Sequence, residues 1–275
     1  MTRRPLAPFP DSIAELGSAG DAGALAPYSD PAYYEKTYKA RRHDVDFYVR
    51  LARESGGPVL EYGAGNGRVT LPIARAGVAV HGVDLSRSML DHLAEKLAHE
   101  PPQVRARVGF THGDMRSVAL EGAAFPLVIA PFNAFLHLYE RADVERFLAR
   151  VRAHLAPGGR FVFDISLPQP RDLARDPDRP VGAPRLRHPT TGELVRSTER
   201  FEYDPIRQLL LIETRFTPEQ GEPWSVPLTH RQFFPGEVEA LLHYNGFSDI
   251  LLQSDFSDEP AHADTDFVVV SARPA

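Results

Sequence analysis

Val59-Leu60-Glu61-Tyr62-Gly63-Ala64-Gly65-Asn66-Gly67-Arg68 is the stretch on which the fold turns. A short apolar run, suited to a buried strand, passes at once into a turn with glycine at every second position. Glycine enters positive φ without a Cβ penalty, so such a turn bends sharply and lets another group approach the backbone closely. The bland alternative is a tight turn that needs glycine for packing alone.

Downstream, Val69, Leu71, Ile73 and Ala74 fall at helical spacing, and Val78 to Val83 reads as a second strand ending at Asp84. Ser86 suits an N-cap, and the helix after it turns Met89, Leu90, Leu93 and Leu97 inward. Val104 to Phe110 is the expected third strand, Phe125 to Ala130 the fourth, Asp143 to Leu155 a helix, and Arg160 to Ile165 the fifth strand after Pro157-Gly158-Gly159. Strands alternating with helices predict an α/β, doubly wound parallel sheet. Upstream, Asp30 to Glu54 reads as one helix starting at Asp30-Pro31. Residues 1–29 are expected to be a flexible leader: two arginines open it, but proline and acid interrupt any apolar signal segment.

The pattern changes after Ser166. Residues 167–190 read as a loop, and period-two alternation over residues 193–234 predicts antiparallel strands. A helix over Gly236 to Tyr244 and strands over Asp249 to Gln253 and Phe267 to Ser271 complete the chain. The expected organisation is an α/β domain of residues 30–166 and 235–275, interrupted after its fifth strand by a β-rich insertion of residues 167–234.

The chain has 275 residues, 43% hydrophobic, enough for one sizeable core. Its net charge of −6 disfavours a nucleic-acid partner, which asks for a basic stripe. The absence of cysteine excludes disulfides, a thiol nucleophile and thiolate metal sites. No apolar run is long enough to cross a bilayer, histidines do not cluster at metal spacing, and a cytoplasmic location is expected.

Position 68, where a dinucleotide-binding G-x-G-x-x-G would place its third glycine, is arginine, so a ligand without phosphates fits better than a nicotinamide cofactor. Asp84, 21 residues beyond Gly63, stands where a carboxylate accepts hydrogen bonds from both ribose hydroxyls of an adenosine; helix capping beside Ser86 is its other reading. Asp114 after the third strand suits an adenine amino group and Met115 the ring face, although Gly-Asp after a strand is also a common turn.

Taken together, Glu61 to Arg68, Asp84-Leu85-Ser86 with Met89, Asp114-Met115 and Leu155-Ala156-Pro157-Gly158-Gly159 resemble the class I S-adenosylmethionine-dependent methyltransferases. The resemblance covers residues 30–166 and resumes near 236–273. It implies a Rossmann-like seven-stranded sheet and S-adenosyl-L-methionine as cofactor, with S-adenosyl-L-homocysteine as product. It places the homocysteine portion at Glu61, Gly63, Ala64, Gly65, Asn66, Gly67 and Arg68, the ribose at Asp84 with Leu85 and Met89, and the adenine at Asp114 and Met115.

Beyond the fourth strand, Pro131-Phe132-Asn133-Ala134-Phe135-Leu136-His137 borders the expected ligand crevice, with Phe132 at the cofactor and Asn133 at the acceptor. This loop is similar to that of small-molecule amine methyltransferases acting on glycine-like amines or amino sugars, in which His follows Asn or Ser by four residues. Methyl transfer needs a lone pair held in line with the methyl and a group to take the acceptor's proton. His137 is the candidate base; packing on the adenosine or capping the next helix is its alternative. Tyr33 and Tyr34, with Tyr38, form an aromatic stripe that touches ligand or only packs, and Arg41 or Arg42 either pairs with the cofactor carboxylate or faces solvent. In the insertion, Arg196 and His230, with Arg200 and Arg231, are candidates to line an acceptor pocket. The favoured reading is methyl transfer to nitrogen or oxygen of a small molecule, nitrogen slightly ahead. An RNA or protein methyltransferase and a non-catalytic S-adenosylmethionine-binding protein stand as alternatives; oligomeric state is not legible.

Overall fold

The computed structural model describes residues 25–188, 191–219 and 221–275. They divide into two units. One is Tyr28–Pro168 with Gln232–Ala275; the other takes in Gln169–Arg231.

The first unit is a seven-stranded sheet. Its strands are β1 (Val59–Tyr62), β2 (Val80–Asp84), β3 (Val108–His112), β4 (Phe125–Ala130) and β5 (Leu155–Ser166), with β10 (Phe247–Ser254) and β11 (Phe267–Pro274) from the end of the chain. The order is β10-β11-β5-β4-β1-β2-β3. β1 to β5 pair in parallel, and β11 is antiparallel to both β5 and β10. This is the expected α/β, Rossmann-like architecture. β1 is buried at all four residues and β4 at all but Pro126, as strands covered on both faces must be.

The helices follow from their apolar spacing. α2 (His43–Ser55) buries Val45, Tyr48 and Ala52 with Phe47 and Leu51, one stripe of a 3.6-residue period, and ends at Gly56 in the left-handed region. α4 (Arg87–Ala98) is capped by Ser86, whose side chain accepts from the Met89 N–H, and buries Met89, Leu90 and Leu93. α6 (Arg141–His154) buries Val144, Phe147, Leu148 and Val151. Each such side chain contributes about 1.5–3 kcal/mol when fully buried. α3 (Thr70–Arg75) follows the glycine turn, and α8 (Pro235–Tyr244) precedes β10.

Three expectations are corrected, and the leader is described only in its last residues. The single helix over residues 30–54 is two: α1 (Pro31–Tyr38), capped by Asp30, and α2, with a break that sets Arg41 and Asp44 beside Arg68. The third strand begins at Val108 rather than Val104. Pro101-Pro102 starts the one-turn α5 (Pro102–Arg105), and proline is pre-organised for the first helical position. Of the flexible leader, residues 1–24 lie outside the described residues, but Ala26–Tyr28 is a one-turn 3₁₀ helix, and Tyr28 is anchored by hydrogen bonds. The loop over residues 167–190 holds α7 (Pro170–Leu173) and a strand, β6 (Val181–Arg187).

The second unit is a four-stranded antiparallel sheet, β6-β7-β8-β9, with β7 (Leu194–Asp204), β8 (Leu209–Pro218) and β9 (Trp224–Arg231). β6 is an edge strand of this sheet.

Candidate functional site

Between β4 and β1 the strand order reverses, and the chain leaves the carboxyl ends of these neighbours in opposite directions. Ligands of open α/β sheets bind at such a crevice. Here a small cleft is lined by Tyr34, Glu61, Gly63, Ala64, Asn66, Arg68, Val69, Pro131 and Phe132.

One arm of the cleft is the glycine turn. Gly63, Gly65 and Gly67 have φ of 71°, 53° and 79°. The turn is held to β2, since the N–H groups of Gly63 and Ala64 both donate to the Val83 carbonyl, at 2.8 and 3.1 Å. Asp84 braces it from the side: Oδ2 accepts from the Gly65 N–H and Oδ1 from the Ser86 N–H, each at 2.7 Å. Burial pushes the Asp84 pKa up, against the pull of those two N–H groups. An ionised carboxylate has about four acceptor positions, so both oxygens retain capacity.

Glu61 is only 2% exposed. Oε2 accepts from the Thr70 hydroxyl at 2.6 Å, and burial raises its pKa to about 8. Asn66 is 1% exposed, and its Oδ1 has no partner among the described residues. Two oxygen acceptors therefore lie against the cleft with little opposing them.

Arg68 bounds the same cleft. Its guanidinium grips Asp44 in bidentate fashion, at 3.1 and 2.6 Å, and lies 4.5 Å from the Phe132 ring centroid. Burial opposes ionisation of Asp44, but the guanidiniums of Arg68 and Arg41 outweigh it and hold the pKa low. Arg41 stacks on Phe267 at 4.3 Å and Phe132 at 4.9 Å, and its Nη2 has no hydrogen-bond partner among the described residues.

The other arm is the loop after β4. Phe132 and Asn133 have φ of 60° and 63°, a pair of side-chain-bearing residues in the left-handed region. Asp164, buried on β5, secures them. Its Oδ1 accepts from the Phe132 N–H and the Tyr48 hydroxyl, both at 2.7 Å, and Oδ2 from the Asn133 N–H at 3.2 Å. Asn133 Oδ1 in turn accepts from the Ser166 N–H at 2.7 Å. A 3₁₀ turn, Ala134–His137, then presents His137, whose Nε2 is 2.9 Å from the Tyr28 hydroxyl and whose Nδ1 is 3.4 Å from that of Tyr139.

Of the residues singled out from sequence, the cleft brings together Tyr34, Glu61, Gly63, Ala64, Asn66, Arg68 and Phe132, with Gly65 and Gly67 in the turn that forms one wall and Asp84 bracing that turn. Leu85 is exposed, and its carbonyl accepts from His112. Met89 is buried under the turn, its methyl 3.2 Å from where a Cβ on Gly65 would sit. Asp114 is bound by Arg116 through several hydrogen bonds, and Met115 packs against the core. Tyr33 is half-buried, its N–H donating to Asp30, while Arg42 is exposed. Arg196 lies exposed on β7, and His230 half-buried on β9, paired with Leu210. Tyr28, Asp44, Tyr48 and Asp164 escaped the sequence reading. For Asp164 a signal existed, a lone carboxylate inside the apolar run Phe161-Val162-Phe163-Asp164-Ile165.

Residues 59–159 match the family model described as a methyltransferase domain. A Mycolicibacterium smegmatis protein, described as a probable S-adenosylmethionine-dependent methyltransferase, is 30% identical over 170 residues, 62% of this chain and 60% of that one. The chain spans 60%, 49% and 46% of the lengths of three curated relatives it matches. Among solved structures, the CcbJ methyltransferase from Streptomyces caelestis is similar at 28% identity and a TM-score of 0.70, covering 85% of this chain and 89% of that one. The glycopeptide N-methyltransferase MtfA, complexed with sinefungin, is 26% identical with a TM-score of 0.59, over 84% and 87% of the two chains. No helix among the described residues is long and apolar enough to cross a membrane.

Proposed function

We propose that this chain, which carries a methyltransferase domain on a Rossmann-like sheet, transfers a methyl group from S-adenosylmethionine to a nitrogen of a small-molecule acceptor. The observation that carries the reading is the donor set of the cleft. Glu61 and the unpartnered Asn66 Oδ1 form a buried acceptor pair suited to an ammonium group, and Asp84 beside them suits a ribose. Neither carboxylate would tolerate a phosphate. This set fits the cofactor, with Arg41 available to its carboxylate and Asp114-Met115 to its adenine. When bound, S-adenosylmethionine supplies an electrophilic methyl on a sulfonium.

The chain's own work is to hold the acceptor in line, exclude water and receive one proton. Asn133 and His137 border the place where the acceptor sits, and the His137 imidazole takes the proton that an amine loses. Nitrogen is favoured over oxygen by the spacing of Asn133 and His137 and by the likeness to a glycopeptide N-methyltransferase. The test is calorimetric titration with S-adenosylmethionine, repeated on Asp84→Ala, followed by transfer of labelled methyl to a panel of amines and alcohols. We expect binding that the substitution weakens at least about tenfold, the scale of one or two charge-assisted hydrogen bonds. Absence of binding by the unaltered chain overturns the cofactor, and label found only on alcohols overturns the nitrogen preference.

A further inference from the structure

The N-terminal 3₁₀ turn reaches both sides of the crevice through one residue. The Ser88 hydroxyl, just after β2, donates to the Tyr28 carbonyl at 3.1 Å, while the Tyr28 hydroxyl meets Nε2 of His137, just after β4, at 2.9 Å. β1 lies between those two strands, so Tyr28 straddles the strand end from which the glycine turn departs. Its ring stands 5.8 Å from Tyr34, a residue of the cleft wall, and 5.8 Å from the His137 ring, edge-on.

We propose that Tyr28 is a positioning residue for methyl transfer: its hydroxyl donates to Nε2 of His137 and fixes the imidazole as the neutral tautomer protonated at Nδ1. The direction of that hydrogen bond follows from satisfaction. Tyr28 is half-buried with its hydroxyl turned inward, and Nε2 is its one hydrogen-bond partner among the described residues. If Nε2 carried the proton, the phenolic hydrogen would be left without an acceptor, at a cost of about 1–3 kcal/mol. The Nδ1 hydrogen then faces the Tyr139 hydroxyl at 3.4 Å. Among the described residues, the titratable groups that bear on the Tyr28 phenol are Tyr34 and Tyr38 from α1, Asp84 from the end of β2 and Tyr139 from the segment after His137. Burial and these neighbours keep the Tyr28 phenol protonated, hence a donor. A hydrogen bond given to the neutral imidazole disfavours its protonated form, and because Nε2 is held by Tyr28 the acceptor's proton reaches the ring through the phenol: the Tyr28 oxygen accepts that proton as its own hydrogen passes to Nε2.

This inference rests on the proposed role of His137, but its first readout does not. In the full-length chain with ¹⁵N-labelled histidine, nitrogen NMR distinguishes the two tautomers without any substrate. The Nδ1-protonated form is expected for His137 in the unaltered protein, and an Nε2-protonated form overturns the proposal outright. In Tyr28→Phe the ring and its packing remain and only the donor is lost. The tautomer should then shift toward Nε2 protonation and the midpoint of the His137 titration should rise. With an acceptor in hand, kcat near neutrality should fall about tenfold, less than loss of a whole general base. The acidic limb of the kcat profile should move to higher pH, with KM for S-adenosylmethionine little changed. An unmoved titration and pH profile would reduce Tyr28 to a packing residue. If no methyl transfer is found, the tautomer measurement still decides the hydrogen bond, so the two failures remain distinct.

Discussion

Two carboxylates lie buried at the carboxyl edge of the same sheet, and they are served very differently. Asp164 on β5 accepts three hydrogen bonds, from the Tyr48 hydroxyl and from the N–H groups of Phe132 and Asn133. Glu61 on β1 accepts one among the described residues, from Thr70, and lines the cleft. A buried carboxylate costs several kcal/mol unless it is paired or hydrogen-bonded. Asp164 offsets part of that cost through these three bonds, although burial still pushes its pKa up, and the bonds give the loop a fixed shape. Glu61 meets the cost by holding a proton, its pKa raised to about 8 by burial. The first arrangement fits scaffolding, and the second fits the proposed cofactor site.

The backbones of the two arms differ in the same sense. The glycine turn reaches positive φ at three glycines, with no Cβ to strain. The loop after β4 reaches it at Phe132 and Asn133, where each residue costs roughly 1–2 kcal/mol, least for Asn. That strain persists because Asp164 over-determines the loop. The sharpest way to break the comparison is therefore Asp164→Ala. It strands two backbone donors and one hydroxyl, each worth about 1–3 kcal/mol when buried and unpaired, so a loss of about 4 kcal/mol in urea unfolding is expected. Asp164→Asn keeps one acceptor oxygen and should lose about half as much. A loss below about 1 kcal/mol for the alanine variant would show that the loop holds its shape without the carboxylate.

This contrast also explains what could be read in advance. The glycine turn, Asp84 and the strand-helix alternation are local: a few neighbouring residues state them, and the sheet and one wall of the cleft were legible from spacing alone. The clamp is not local. Asp164 meets Phe132 and Asn133 across 32 and 31 residues, and Tyr48 across 116. Only the strand pairing of β4 with β5 brings them together. Tyr28 was lost in the same way, in an alanine- and glycine-rich stretch that gives no periodic signal, with its partner 109 residues on. The break between α1 and α2 was hidden because the apolar period runs through it, and the bond of Arg68 to Asp44 is what the break accommodates.

Glu61 offers a test through pH. Its pKa rises from about 4.5 to about 8 in the folded chain, so the folded form binds this proton more tightly than the unfolded form. The stabilisation is complete below the unfolded value and is lost as pH rises through the folded one. Relative to Glu61→Gln, the unaltered protein should therefore lose thermal stability between about pH 5 and pH 8, other titrations cancelling in the difference. S-adenosylmethionine, if its ammonium faces Glu61, should reduce that loss. A difference that stays flat across this range would mean that Glu61 is better served than its single hydrogen bond indicates, and the distinction from Asp164 would close.

The smallest effect is expected where the two arms can be made alike. Asn133→Gly gives the loop after β4 the solution used by the glycine turn. It removes a Cβ from a residue at φ 63° but also removes the oxygen that accepts from the Ser166 N–H at 2.7 Å. Relief of strain at an asparagine is worth less than about 1 kcal/mol, since this side chain tolerates the left-handed region. The lost hydrogen bond and the greater freedom of glycine in the unfolded chain each oppose it by a similar amount. Asp164 still holds the N–H of residue 133, because that bond is to the backbone. The net change in urea unfolding should thus be a destabilisation of about 1 kcal/mol. A stabilised variant would show that strain outweighs the Ser166 contact. A loss near that of Asp164→Ala would show instead that the Asn133 side chain, and not the carboxylate, is what ties β5 to the loop.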